Sequence, residues 1–337
     1  MALADTLGNL ALLAFITADV GAIYQALASV LDRRNWPPPG RLIDMGGHRL
    51  HIQVAGQGGP TVVFEAGGGS WSIEWFRVLP EVAKFTCAVA YDRSGYGWSD
   101  ISLKNASSRS VAEELHALLE AAGIEGPYIL VGRSTGALHV RMFAHLYPQE
   151  VAGMVLLDAA HEEEKTRILP ALREVGEREL QLLGVLRLLA PLGLIRFLGW
   201  WGALARLRIL EKLPSEKQQQ VLAGIYRSLY CNTLYGEYQQ FDESAGQVRA
   251  TGSLGDLPLA VVTAGDHLDA ANYPKDFPIA QAQQIWEQLQ SELATLSANS
   301  RHEVLEGCST YLPMDCPAAV VDAIRWVYDR TCGQPGR

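Results

Sequence analysis

The chain has 337 residues, 48% of them apolar and 19% charged, with 28 basic against 37 acidic side chains and a net charge of −9. That composition supports a sizeable core and excludes wholesale disorder, and the acidic balance excludes a dedicated nucleic-acid binder, which needs a basic footprint. At about 150 residues per domain, the length allows two domains, or one domain carrying an insertion.

Residues 7–31 read LGNLALLAFITADVGAIYQALASVL, with Asp19 the one charge. An apolar helix of that length can reach across a bilayer, which takes about 20 residues. Arg33 and Arg34 follow, and Pro37 to Pro39 stop the helix after Trp36. The front lacks a basic run, which argues against a secretory signal peptide. Membrane association through residues 7–31 is expected, with spanning and surface-lying forms both open, and the arginines place the main body on the cytoplasmic side. The five cysteines (Cys87, Cys231, Cys308, Cys316 and Cys332) are odd in number and form no C-x-x-C pair. They point to a reducing compartment, with neither a disulfide framework nor a zinc site.

Beyond the prolines, short β-rich runs alternate with helical patterns. RLIDM (41–45) and HRLHIQVAG (48–56) predict a hairpin turned by Gly46-Gly47. TVVFEA (61–66) and CAVAYD (87–92) predict buried strands separated by a helix around 74–84. Ser110 with Glu113 predicts a capping box for a helix ending near Gly123. YILVGRS (128–134), VAGMVLLD (151–158), LPLAVVTAG (257–265) and HEVLE (302–306) are further strands, and a helix over 317–329 closes the chain. Strands alternating with helices predict an α/β fold with a doubly wound, mostly parallel sheet. Between Asp158 and Leu257 the alternation gives way to a greasy helical stretch, read as a cap that buries its apolar residues against the core, with a cap that lines an apolar pocket or touches a membrane as the compatible alternative. The expected division is an N-terminal hydrophobic helix and linker over 1–36, an α/β core over 37–158 and 257–337, and a helical cap inserted over 159–256.

One motif carries chemistry. Gly132-Arg133-Ser134-Thr135-Gly136 is G-x-S-x-G between a predicted strand and a predicted helix, the context in which a sharp turn projects a serine hydroxyl. Ser134 is the candidate nucleophile. The run Gly67-Gly68-Gly69 ends the TVVFEA strand, so the N–H groups of Gly68 and Thr135 are candidates for an oxyanion hole. A phosphate-cradling loop is excluded by spacing, because no G-K-[ST] follows. YDRSGYGWSD (91–100) reads as a structural turn built on Gly95 and Gly97.

Through EAGGGSWSIEW, YDRSGYGWSD, GRSTG and CSTYLPMDCPAAVVDAI the chain resembles the α/β-hydrolase superfamily, in particular esterase-, lipase- and epoxide-hydrolase-like members with a helical cap. The resemblance runs from about Arg41 to the last helix. It implies a serine nucleophile, a histidine base after the last strand, and an aspartate or glutamate that orients the histidine. Asp158 and Asp266, each at a strand end, rank nearly equal as that acid, and Asp269 lies three residues further on. The position expected for the histidine holds Thr310, whose hydroxyl cannot accept a proton near pH 7 as an imidazole does. His161, three residues past Asp158, and His267, beside Asp266, are the substitute bases to test. His139 reads as a packed side chain, and His302 lies far from the carboxyl edge of the sheet.

The expected function is hydrolysis of an ester or related acyl substrate, a lipophilic small molecule, with turnover weakened by Thr310. The alternative is a catalytically silent or acyl-trapping protein that binds a ligand in the same pocket. Ser134 excludes chemistry that needs an aspartate at the elbow. No cofactor, metal or nucleic-acid partner is expected, and nothing in the sequence fixes the oligomeric state.

Overall fold

A computed structural model describes residues 2–202, 204, 207–268 and 273–332. A long helix, α1 (Ala2–Asn35), leads into the hairpin β1 (Arg41–Asp44) and β2 (Arg49–Ala55). β3 (Thr61–Glu65), β4 (Ala88–Tyr91), β5 (Tyr128–Arg133), β6 (Val151–Leu157), β7 (Leu259–Asp266) and β8 (Ser300–Ser309) complete one sheet in the order β1-β2-β4-β3-β5-β6-β7-β8. The pairs β1/β2 and β2/β4 are antiparallel and every other pair is parallel. Every residue of β3, β4 and β5 is buried, as parallel strands covered on both faces require.

Two helical layers cover the sheet. α3 (Ser108–Ala121), α4 (Gly136–Leu146) and α11 (Phe241–Arg249) press Leu115, Leu118, Leu138, Phe143 and Val248 onto one face. On the other face α2 (Leu79–Val82) and α14 (Pro317–Cys332) supply Leu79, Val82, Val320, Ile324 and Val327. α12 (Ile279–Ala294) crosses between β7 and β8, and α13 (Leu312–Asp315) follows β8. Leu130 on β5 is 0% exposed in the first of these layers. Leu130→Ala is expected to cost about 2–5 kcal/mol, read as a lower urea midpoint with an unchanged m-value.

Two local expectations are corrected. The helix expected around 74–84 is a 3₁₀ turn at Ser72–Trp75 and the single turn α2. Pro80 lacks an N–H and is tolerated only in a first helical turn, so the helix restarts there instead of running through. The cap of α3 is Ser107, not Ser110: Ser107 is extended (φ −71, ψ 155) and its hydroxyl accepts from the Ser110 N–H.

Between β6 and β7 lie α5 (Glu164–Arg167), α6 (Pro170–Leu189), α7 (Leu194–Trp200), α8 (Arg208–Glu211), α9 (Ser215–Ile225), α10 (Ser228–Gln239) and α11. Ile195, Leu210, Leu213, Val221 and Ile225 from this stretch pack over Trp71, Tyr96 and Met314. The expectation that its apolar residues are buried is only half met. Leu188 is 68% exposed, Phe197 51%, Trp200 85% and Trp201 76%. The cause is a 95° bend between α6 and α7, made at Gly193, which takes the left-handed conformation (φ +75).

The reading of five unpaired thiols is also corrected. Cys308 and Cys316 form a disulfide, because α13 folds the chain back after β8 and brings their Cα atoms to 6.3 Å. Cys87, Cys231 and Cys332 are free. The argument for a reducing compartment lapses with that pair.

Candidate active site

The elbow forms because its two glycines allow contacts that no side chain permits. A Cβ at Gly132 would lie 2.7 Å from Val140 Cγ2, and one at Gly136 would lie 2.6 Å from the Ala66 carbonyl. Ser134, between them, is held at φ +50, a left-handed conformation that costs a non-glycine residue about 1–3 kcal/mol. The Ser134 N–H donates to Leu157 O at 3.1 Å, and the Ala160 N–H donates to Ser134 O at 2.9 Å. These bonds pin the turn to the end of β6. Asp158, at that end, is among the described residues the other non-glycine residue with positive φ (+42), and its N–H donates to Val262 O on β7 at 2.7 Å. Backbone hydrogen bonds thus stitch the carboxyl ends of β5, β6 and β7 together.

Asp158 is 1% exposed and fully engaged. Its Oδ2 lies 2.6 Å from His267 Nδ1, and its Oδ1 accepts from Trp286 Nε1 at 2.7 Å and from the Ala264 N–H at 3.3 Å. Thr310 is among the groups that act on this carboxylate, helping to lower its pKa. The His267 ring stacks on Trp286, with centroids 3.8 Å apart and planes within 14°. A carboxylate at Nδ1 fixes the proton there and leaves Nε2 as the basic nitrogen. Burial works against both charges, yet each group favours the charged form of the other. Despite that burial, His267, Trp286 and Thr310 bring the Asp158 pKa below the usual carboxylate value. Likewise the Asp158 charge and hydrogen bond, with help from Glu164, outweigh the burial of His267 and lift its pKa above the ordinary histidine value.

The other sequence candidates lie apart from this pair. Asp266 ends β7 with an exposed side chain, its backbone in register with Ser309. Asp269 lies outside the described residues. His161 is buried, but its Nδ1 accepts from the Glu163 N–H at 3.0 Å and its Nε2 faces Glu292 at 3.7 Å. Burial lowers the His161 pKa, consistent with a neutral ring whose Nδ1 accepts a hydrogen bond. His139 packs against Glu65 at 3.2 Å, and His302 bonds to Thr263 Oγ1 at 2.8 Å within the β7–β8 pair.

Gly68 and Thr135 lie close together beside the elbow. A Cβ at Gly68 would lie 3.3 Å from Thr135 Oγ1, and among the described residues neither N–H has a protein acceptor. Two buried arginines that the sequence reading missed hold the glycine run through three ion pairs. Arg93 binds Glu65 at 2.6 Å and Glu237 at 3.1 Å, and donates to the carbonyls of Ala66 (2.6 Å) and Gly67 (2.9 Å). Arg133 binds Glu74 at 2.9 Å, and Glu74 accepts from the Gly67 N–H at 3.3 Å. Arg93 belongs to YDRSGYGWSD, so that run does more than turn the chain. Glu237, from α10, also accepts from the hydroxyls of Tyr96 and, at 3.3 Å, Thr135. Its partner Arg93 is 144 positions away, and no local pattern announces such a pairing.

Residues 60–215 match the family described as alpha/beta hydrolase fold. Among solved structures the chain is similar to the epoxide hydrolase CorEH without ligand, at 17% identity and a TM-score of 0.65, over 86% of this chain and 98% of that one. It is also similar to a malate-bound thermophilic esterase from Thermogutta terrifontis, at 19% identity and a TM-score of 0.59, over 86% and 98%. It is 36% identical to the Bacillus subtilis protein YqjL over 105 residues, 31% of this chain and 42% of that protein. With a Saccharomyces cerevisiae vacuolar membrane protein it shares 38% identity over 108 residues, 31% of this chain and 17% of that protein. The chain therefore spans well under two thirds of these curated relatives' lengths.

Proposed function

For this member of the α/β-hydrolase superfamily, we propose a serine hydrolase that cleaves an ester or related acyl substrate with Ser134 as nucleophile, His267 as base and Asp158 as the orienting acid. The observation that carries the proposal is the 2.6 Å contact between His267 Nδ1 and the buried Asp158 carboxylate, at strand ends next to the elbow. In this reading the base comes from the loop after β7 instead of the loop after β8. Thr310, at the usual base position, helps keep the acid ionised.

The chemistry follows from those roles. Ser134 Oγ attacks the acyl carbonyl as its proton passes to His267 Nε2, and the N–H groups of Gly68 and Thr135 receive the oxyanion. Collapse expels the alcohol, which takes the proton back from His267 and leaves the acyl group on Ser134. Water then attacks that ester, His267 again taking a proton, and the acid departs from a regenerated serine. Asp158 stays ionised throughout, fixing the tautomer and stabilising the imidazolium. The helical insertion over 159–256 is read as a cap above the site, and the apolar cluster of Trp71, Ile195, Leu210 and Ile225 supports a lipophilic acyl group. The length, apolarity and exposure of α1 support membrane association.

Turnover of short p-nitrophenyl esters tests the reading. Ser134→Ala is expected to remove about 10⁶-fold of the rate. A second reading, a base-deficient protein that binds or traps an acyl group, is favoured by Thr310 at the position where the resemblance puts the histidine. Under it Thr310→His raises turnover by orders of magnitude. Under the reading preferred here Thr310→His gives no gain, because His267 already holds the role.

A further inference from the structure

The two halves of α1 have different surroundings. The C-terminal half is tied to the cap. Gly21 lies so close to the Leu192 carbonyl that any Cβ there would overlap it. Gln25 is buried and donates to Tyr226 O at 2.5 Å, while Arg196 on α7 reaches Gln25 at 3.3 Å and Asp32 at 2.6 Å. Upstream of that joint Leu7, Leu10, Leu13, Phe15, Ile16 and Val20 are all exposed. At 100° per residue these six side chains point around the whole circumference of the helix. A protein partner covers one stripe of a helix, whereas lipid covers every side.

The joint also sets a depth. Residues 2–20 extend about 28 Å at 1.5 Å per residue, close to the roughly 30 Å of a bilayer's hydrocarbon core. The cap begins where that length ends, so Asp19 falls at the lipid boundary and not at mid-bilayer. Arg196 anchors α7 to α1 at Gln25 and Asp32, on the body side of that boundary, and Phe197, Trp200 and Trp201 project from α7 and the residue after it, more than half exposed, with Phe197 and Trp201 against each other. Tryptophan is the side chain enriched at membrane interfaces, and the exposed Arg33 and Arg34 on the body side suit anionic headgroups.

We propose that the cap surface formed by Phe197, Trp200 and Trp201 rests in the headgroup layer of the lipid bilayer into which α1 inserts. This rests on the membrane reading of α1 and not on the hydrolase reading. Taken together with the proposed function, this placement would let a lipophilic substrate reach the cap from the membrane.

The test uses the full chain in vesicles of phosphatidylcholine and phosphatidylglycerol, with lipids brominated at shallow acyl positions as tryptophan quenchers. The wild type is expected to float with the vesicles and to be quenched. Trp200→Phe/Trp201→Phe is expected to float equally well through α1 and to lose at least half of the quenching. A variant that floats and is quenched as strongly as the wild type overturns the proposal while leaving α1 as an anchor. A wild type that does not float overturns both. Neither result depends on catalysis.

Discussion

His267→Ala is expected to lower kcat/KM on short p-nitrophenyl esters by about 10⁴- to 10⁶-fold, on the order of 5–8 kcal/mol of barrier. The size of the effect follows from the division of labour in the site. In the proposed mechanism the backbone donors at Gly68 and Thr135 remain in the variant, so transition-state stabilisation survives in part, but the group that would take the Ser134 proton is gone. His161 cannot take over, because its nitrogens are directed to the Glu163 N–H and towards Glu292. The wild-type pH profile should carry the same information. A base works in its neutral form, and Asp158 lifts the His267 pKa above its ordinary 6.5. The rising limb of kcat/KM should therefore be centred above 6.5 in the wild type and be absent from the variant.

Asp158→Asn is expected to cost about 10⁴-fold in turnover, by presenting the wrong hydrogen-bond partner to His267 Nδ1. It should also cost about 3–5 kcal/mol of stability, because breaking a buried pair leaves the remaining group uncompensated. The pH dependence of that loss has a definite sign. The Asp158 pKa is depressed, so its contribution is present above the unfolded value of 3.8 and is lost as pH falls through the folded value. The His267 pKa is raised, so its contribution is complete below 6.5 and is lost as pH rises through the folded value. The stability gap between wild type and Asp158→Asn should be widest between 3.8 and 6.5 and narrow on either side. Urea unfolding of both proteins across that range measures it.

Much of the sheet is legible in the sequence because buried parallel strands are nearly continuous apolar runs, as TVVFEA and YILVGRS are. The elbow is legible for a related reason: Gly132 and Gly136 are required by contacts within a few residues of Ser134 or with the adjoining strand. Errors arise where a single residue decides the backbone, as Pro80 does in cutting short the expected helix and Ser107 in starting α3 early. The pairing inside the site has no local signature. His267 and Asp158 are separated by 109 positions, and Trp286 joins them from a third element. Composition and periodicity describe each of these segments separately, whereas their meeting depends on the order of β5, β6 and β7 in the sheet. The exposed tryptophans of α7 escape a pattern reading for the same reason, since the bend at Gly193 decides which way they face.

Covalent labelling of Ser134 by a fluorophosphonate, followed by intact mass in the wild type and in His267→Ala, tests the assignment of the base most directly. The expected result is one adduct on Ser134 of the wild type, forming faster as pH rises through the raised His267 pKa, with labelling slowed by orders of magnitude in the variant. Equal labelling rates in the two proteins, or no adduct in either, would contradict the account.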